Sequence, residues 1–229
     1  MRKAEYALDL DARLAALGQQ VRQCAYRPRL ARRAYILKAN GKMRPLGIPR
    51  FEDRIVQDRL SGILQAIWEP EFRDCSFGFR LGRSAHQAIK RLGEIITLDQ
   101  TQWLVEADIK GFFDNVDHDW LMKFLAHRIN DPVLANIYLH YVLDIWFEKR
   151  FARSCRGRAK LVRYADDFVA CFTHEEDAKR FSEALIERLA EFALEVEPSK
   201  TALLRFGSYA KRQCAKLGLG RPPTFDFAS

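Results

Sequence analysis

The stretch Leu161-Val162-Arg163-Tyr164-Ala165-Asp166-Asp167-Phe168-Val169-Ala170-Cys171-Phe172 decides how this chain reads. Two β-rich runs, Leu161 to Tyr164 and Phe168 to Phe172, enclose Ala165-Asp166-Asp167, so the pattern predicts a hairpin with two adjacent carboxylates on its turn. Asp is common in turns because its side chain bonds its own backbone, and a merely polar turn is one reading of the pair. The other reading starts from cost. Adjacent carboxylates repel, and beside a core they need protons, cationic partners or metal ions.

A third acid stands in a similar place. Leu104-Val105-Glu106-Ala107-Asp108-Ile109 reads as a buried strand, with Asp108 near its end. Divalent metals are the simplest way to satisfy three such acids. Mg²⁺ takes a few carboxylate oxygens together with water and substrate phosphate, and two ions about 4 Å apart can stabilise both the attacking and leaving oxygens of phosphoryl transfer.

The flanking elements follow from apolar periodicity. Helices are predicted over 5–23, over 52–68 up to Glu69-Pro70, after Ser84, after an Asp117 cap, and from Asp131-Pro132 to about Lys149. Thr173 and Glu176 predict a capping box for a further helix carrying Ala178, Phe181, Leu185, Leu189 and Phe192. Asn40-Gly41 predicts a hairpin turn with Lys42 and Arg44 beside it, and Pro198-Ser199-Lys200 a second hairpin between Leu194-Glu195-Val196 and Ala202-Leu203-Leu204. The order strand, helix, helix, hairpin, helix, hairpin predicts an α+β fold, an antiparallel sheet with helices packed on one face. The run Arg27 to Arg33 is basic and is expected to be exposed.

Composition limits the alternatives. With 229 residues, 48 % of them hydrophobic, the chain can bury one substantial core or two small ones and is not a disordered tail. The 38 Lys and Arg against 30 Asp and Glu leave a charge of +8, which favours a polyanionic partner through phosphate neutralisation. Cys24, Cys75, Cys155, Cys171 and Cys214 show no Cys-x-x-Cys spacing, so neither a zinc site nor a disulfide framework is expected. With no secretory signal and no membrane-length apolar run, a reducing, cytoplasmic setting without membrane contact is expected.

Tyr164-Ala165-Asp166-Asp167 between apolar strands resembles the signature of reverse transcriptases. Asp108-Ile109-Lys110-Gly111-Phe112-Phe113-Asp114 resembles the first catalytic block of their group II intron branch. Gly41 to Pro49, Ser76-Phe77-Gly78-Phe79-Arg80 with Gly82-Arg83-Ser84-Ala85-His86, Leu134-Ala135-Asn136-Ile137-Tyr138-Leu139 and Pro198-Ser199-Lys200-Thr201 extend the resemblance over residues 35 to 205.

The resemblance implies a right-hand polymerase arrangement, with an N-terminal helix and fingers over 1–100 and a palm over 101–229. It implies that Asp108, Asp166 and Asp167 hold two Mg²⁺ ions, with the Ile109 carbonyl as an extra ligand. A primer 3′-hydroxyl would then attack the α-phosphate of a dNTP. Lys42, Arg44 and Arg80 would face the triphosphate. Phe113 would exclude a 2′-hydroxyl by bulk, and Lys200 would lie near the nucleotide. Taken singly, Arg80 also reads as a solvated basic face, Phe113 as core and Lys200 as a surface lysine. The implied partners are an RNA template, a DNA primer, dNTPs and intron RNA.

The sequence departs from the family pattern where Arg128-Ile129-Asn130 runs into Asp131-Pro132-Val133 without the Pro-Gln-Gly block that lines the nucleotide pocket. Thr224-Phe225-Asp226-Phe227 resembles the start of the primer-grip block, after which no thumb is expected, and the N-terminal extension is short. These departures predict a shortened copy that keeps its carboxylates but positions substrate poorly. The alternative expectation is a non-catalytic, maturase-like RNA-binding remnant.

Overall fold

The structure, a computed structural model, describes residues 6–37, 41, 43–98, 101–126, 135–206, 210 and 227. The chain forms two compact units, Met1–Leu64 and Gln65–Ser229.

In the first unit, α1 spans Leu10–Arg22. It buries Leu17, whereas Leu10, Leu14 and Val21 are exposed. The Arg27 to Arg33 run is exposed, as its charge requires. Strands β1 (Arg32–Leu37) and β2 (Met43–Ile48) pair antiparallel from Arg32↔Ile48 to Leu37↔Met43. Gly41, in the connecting loop, has φ +78°, the left-handed backbone that suits glycine there. Helix α2 (Phe51–Trp68) begins in this unit, and its buried Asp53 accepts a hydrogen bond from the Tyr26 hydroxyl.

The second unit is built on a four-stranded antiparallel sheet. Its strands are β3 (Trp103–Ala107), β4 (Ala159–Tyr164), β5 (Asp167–Phe172) and β6 (Ala202–Arg205), in the order β4-β5-β3-β6. Side chains alternate across the sheet because the pleat repeats every two residues. Leu104, Val162, Val169 and Cys171 share one core with Ala88, Leu92 and Ile95 of α3 (Ala85–Leu98). On the opposite face Phe172 meets Phe181 of α6 (Glu175–Ala190), whose ring lies 5.3 Å from it and 5.2 Å from that of Phe151. Each such buried ring contributes about 2 kcal/mol of apolar burial. Helices therefore pack on the α6 face as expected, and α3 adds a layer on the other.

Local signals place several boundaries. Ser84 and Gln87 bond reciprocally at the start of α3, with Ser84 N–H to Gln87 Oε1 at 2.9 Å and Gln87 N–H to Ser84 Oγ at 3.3 Å. Asp117 accepts from the Trp120 amide at 2.9 Å and caps α4 (His118–Ala126). The predicted Asp131-Pro132 helix start lies outside the described residues. From there α5 (Ala135–Leu139) continues into π-helical turns at His140–Asp144 and Phe147–Phe151.

Two expectations are corrected. Helix α6 starts after His174 without a side-chain cap, because Thr173 Oγ1 accepts instead from the Arg158 amide at 3.2 Å. The segments around Pro198-Ser199-Lys200 do not form a hairpin with each other. Val196 bridges Ile109, and β6 pairs with β3, so both lie along the β3 line with a 3₁₀ turn at Pro198–Lys200 between them.

Candidate active site

The β4–β5 hairpin closes on the pair Tyr164↔Asp167, leaving Ala165 and Asp166 as a two-residue turn. Ala165 has φ +57°, the positive angle such tight turns demand at their first position. β3 pairs with β5 up to Ala107↔Phe168, and one further step along that register sets Asp108 opposite Asp167. The sheet thereby brings Asp108 alongside the adjacent pair Asp166 and Asp167, from which the sequence holds it far apart.

Their electrostatics are those of a crowded anionic cluster. Burial, reinforced by the charges of Asp108 and Asp166, raises the Asp167 carboxyl above the ordinary carboxylate range, and Lys200 offsets part of this. Lys200 donates to Asp108 Oδ2, and that bond raises the lysine's own pKa against the opposing effect of burial. The Asp108 side chain in this pair is 15 % exposed, against 65 % for Lys200. Lys200, expected near the nucleotide, is thus paired directly with Asp108.

The backbone beside Asp108 is equally constrained. Lys110 N–H donates to the Glu195 carbonyl at 2.9 Å, and Glu197 N–H to the Asp108 carbonyl at 2.8 Å. In an antiparallel pair bonded this way, the amide and carbonyl of the middle residue, Ile109, are directed away from that partner. The Ile109 side chain is buried.

The remaining predicted residues divide. Arg80 does not present a free guanidinium. Its side chain is 4 % exposed and bonds Glu69 Oε1 at 2.6 Å, the Arg73 carbonyl at 2.8 Å and the Ser76 carbonyl at 2.9 Å. It serves the packing of the 69–80 segment, because a buried cation needs its donors satisfied at hand. Phe113 lies in the helical turn Phe112–Asn115, with its side chain outside the described residues. Arg44 is described in its backbone alone, within β2 of the first unit, and Lys42 lies outside the described residues.

Sequence reasoning passed over a second group. Residues 75 to 78 lie against β4: Arg163 N–H donates to the Cys75 carbonyl at 2.7 Å and Phe77 N–H to the Arg163 carbonyl at 2.8 Å. The Arg163 and Asp144 side chains are both fully buried and paired at 2.7 Å. One signal was present. Arg163 shares a strand face with Leu161, where a charge is out of pattern.

Among the described residues, no three His, Cys, Asp or Glu side chains are set closely enough to cage a metal ion by themselves. Magnesium in phosphoryl-transfer sites does not ask for such a cage, since it is bound through one or two carboxylates, several waters and the substrate phosphates. The sheet register brings Asp108 alongside Asp166 and Asp167, whose charges act on one another, and a donor set of this kind fits that requirement.

An antiparallel sheet with an Asp-Asp turn set across from a third acid is the arrangement of polymerase fingers and palm. The profile of the family described as "Reverse transcriptase (RNA-dependent DNA polymerase)" matches residues 36–131 and 128–220, and the chain belongs to that family. Its two matched pieces overlap at 128–131. The chain is 36 % identical over 153 residues to the group II intron-encoded protein LtrA of Lactococcus lactis, covering 64 % of this chain and 25 % of that protein. It is 43 % identical over 129 residues to protein YkfC of Escherichia coli, covering 53 % of this chain and 34 % of that protein. The chain thus spans about a quarter to a third of these relatives' length. The structure of apo telomerase from Candida tropicalis truncated from its C-terminal domain shares the fold, with a TM-score of 0.54 at 11 % identity over 93 % of this chain and 56 % of that one. Among the described residues, no helix is long and apolar enough to cross a membrane.

Proposed function

We propose that this chain carries the nucleotidyl-transfer centre of an RNA-directed DNA polymerase of the group II intron-encoded type. The observation that carries this reading is the convergence of Asp108, Asp166 and Asp167, with Asp167 held above the usual carboxylate range by burial and its two neighbours. Asp108, Asp166 and Asp167 would hold two Mg²⁺ ions, with the Ile109 carbonyl as a further ligand. Such ions would supply positive charge against that developing on the attacking and leaving oxygens. The primer 3′-oxygen then bonds the α-phosphorus of the dNTP as the bond to the β-phosphate oxygen breaks, releasing pyrophosphate and the hydroxyl proton.

The chain's own groups set the geometry. The turn and β3 place the carboxylates, and Lys200, adjacent to Asp108, is placed to exchange its partner for a phosphate of the incoming nucleotide. Phe113 is assigned to exclusion of a ribose 2′-hydroxyl. Lys42 and Arg44 are assigned to the triphosphate by family resemblance alone, and Arg80 is not, because its donors are committed. The RNA template, DNA primer and intron RNA are the partners this reading requires. The test is Mg²⁺-dependent single-nucleotide incorporation on an RNA template, with Asp166→Asn as control. Incorporation by the natural chain and not the control is expected; a signal equal to the control rejects the reading.

A second reading, a maturase-like RNA-binding remnant without catalysis, is favoured by the division of the family match into two pieces that overlap at 128–131. It requires RNA affinity that falls steeply with salt and is indifferent to Asp166→Asn.

A further inference from the structure

The Arg163 guanidinium uses every hydrogen-bond donor it has, and the acceptors come from separate parts of the second unit. Nε donates to Asp144 Oδ1 at 2.8 Å and Nη2 to Asp144 Oδ2 at 2.7 Å, a bidentate pair. Nη2 also donates to Ser76 Oγ at 2.8 Å. Nη1 donates to Asn136 Oδ1 at 3.1 Å and to the Ala165 carbonyl at 2.8 Å. Those five bonds exhaust a guanidinium.

The acceptors come from three separate blocks of sequence: Ser76, the helical run bearing Asn136 and Asp144, and the turn itself. Asn136 closes a second loop, donating through Nδ2 to the Gly78 carbonyl at 2.9 Å. Gly78 in turn lies against Ala165. Asp144 sits in the π-helical turn His140–Asp144 and is fully buried. Wide turns of this kind cluster where a helix must aim a side chain at a functional feature.

We propose that Arg163 is a positioning residue for the metal-binding carboxylates, with Asn136 and Asp144 as its anchors. The proposal rests on the reading of Asp108, Asp166 and Asp167 as metal ligands. Arg163 grips the carbonyl of Ala165, the residue whose positive φ turns the chain into Asp166, so the guanidinium sets the direction from which both turn carboxylates leave the sheet. A lysine would keep the charge opposite Asp144. Its three donors on a single nitrogen do not reproduce the planar fork that reaches Ser76, Asn136 and Ala165 together. Groups that orient metal ligands from behind typically change metal affinity by about 10- to 100-fold when removed.

The test is Mn²⁺ binding to the intact chain, followed by the electron paramagnetic resonance signal of the free ion, with metal-free thermal unfolding recorded for each variant. Asp166→Asn reports whether the carboxylates bind metal at all. Arg163→Lys and Asn136→Ala are each expected to unfold cooperatively and to raise the Mn²⁺ dissociation constant on the order of tenfold. Asn136→Ala keeps the Arg163–Asp144 pair and decides the matter should Arg163→Lys fail to fold. Wild-type Mn²⁺ affinity in a folded variant, alongside loss in Asp166→Asn, overturns the positioning role and leaves the metal reading standing. Binding unchanged by Asp166→Asn overturns both.

Discussion

A methyl group on Gly78 would stand 2.2 Å from the amide nitrogen of Ala165 and 3.0 Å from its Cα, so two backbones meet with no room for a side chain between them. Neither can yield, because Phe77 and Arg163 are bonded to each other's strands on the same side. Gly78→Ala should therefore cost about 1 to 3 kcal/mol, lowering Tm by roughly 3 to 10 °C. Gly62→Ala, where nothing lies within 4 Å of the added carbon, is the control and should be neutral or slightly stabilising. Equal unfolding temperatures for the two variants would contradict the close approach.

The crowding of Asp167 implies an exchange of function for stability. Its carboxyl is raised by burial and by Asp108 and Asp166, so the folded state binds its proton more tightly than the unfolded chain does. The stability linked to that proton is present below the ordinary carboxylate pKa and is lost as pH rises through the folded value. Asn carries no charge to lose. Asp167→Asn should raise Tm of the metal-free chain at pH 7 while abolishing the further rise that Mg²⁺ confers on the natural chain. A lower metal-free Tm would show that the carboxylate is needed for packing.

Lys200 donates to Asp108 Oδ2, an oxygen that a divalent ion bound there would also claim. Lys200→Ala removes a competitor for that carboxylate, so Mn²⁺ should bind several-fold more tightly, while the KM for dNTP should rise by about an order of magnitude from loss of a phosphate contact. Titration of Mn²⁺ and steady-state incorporation measure the two separately. Weaker metal binding in the variant would mean that the lysine orients Asp108 rather than competing for it.

His140 supplies a further pH dependence. Burial lowers its pKa to about 4, opposed by Asp144 and assisted by Arg163 and Arg73, and the rings of Phe72 and Tyr141 lie 5.5 and 5.1 Å away. Above its ordinary value of 6.5 both states are neutral; as pH falls toward 4 the unfolded chain gains a proton that the folded chain refuses. Between pH 7 and 5 this should remove about 2 kcal/mol of stability. Urea midpoints at the two pH values should converge in His140→Leu relative to wild type, and identical losses in both would acquit the histidine.

Much of this was legible in order along the chain. The β-rich runs around Asp166-Asp167, the strand leading to Asp108, the Asp117 cap and the helix from 85 are local features, set by side-chain period and capping chemistry within a few residues. Where a local signal met a distant partner it lost. Thr173 had the spacing of a cap but found the Arg158 amide, and the segments either side of Pro198 had the look of a hairpin but one found Ile109 and the other β3.

The sequence by itself determined which residues could carry the chemistry, because the acids, their apolar flanks and their family blocks are all written in contiguous runs. Only the tertiary structure decided what holds them. Arg80 and Arg163 read alike as basic residues in motif-bearing segments, yet both are buried in service of packing, and Arg163 meets Ser76 across 87 positions. A guanidinium is indifferent to sequence distance. Its five donors go wherever the fold brings acceptors out of water, and no periodicity along the chain encodes that address.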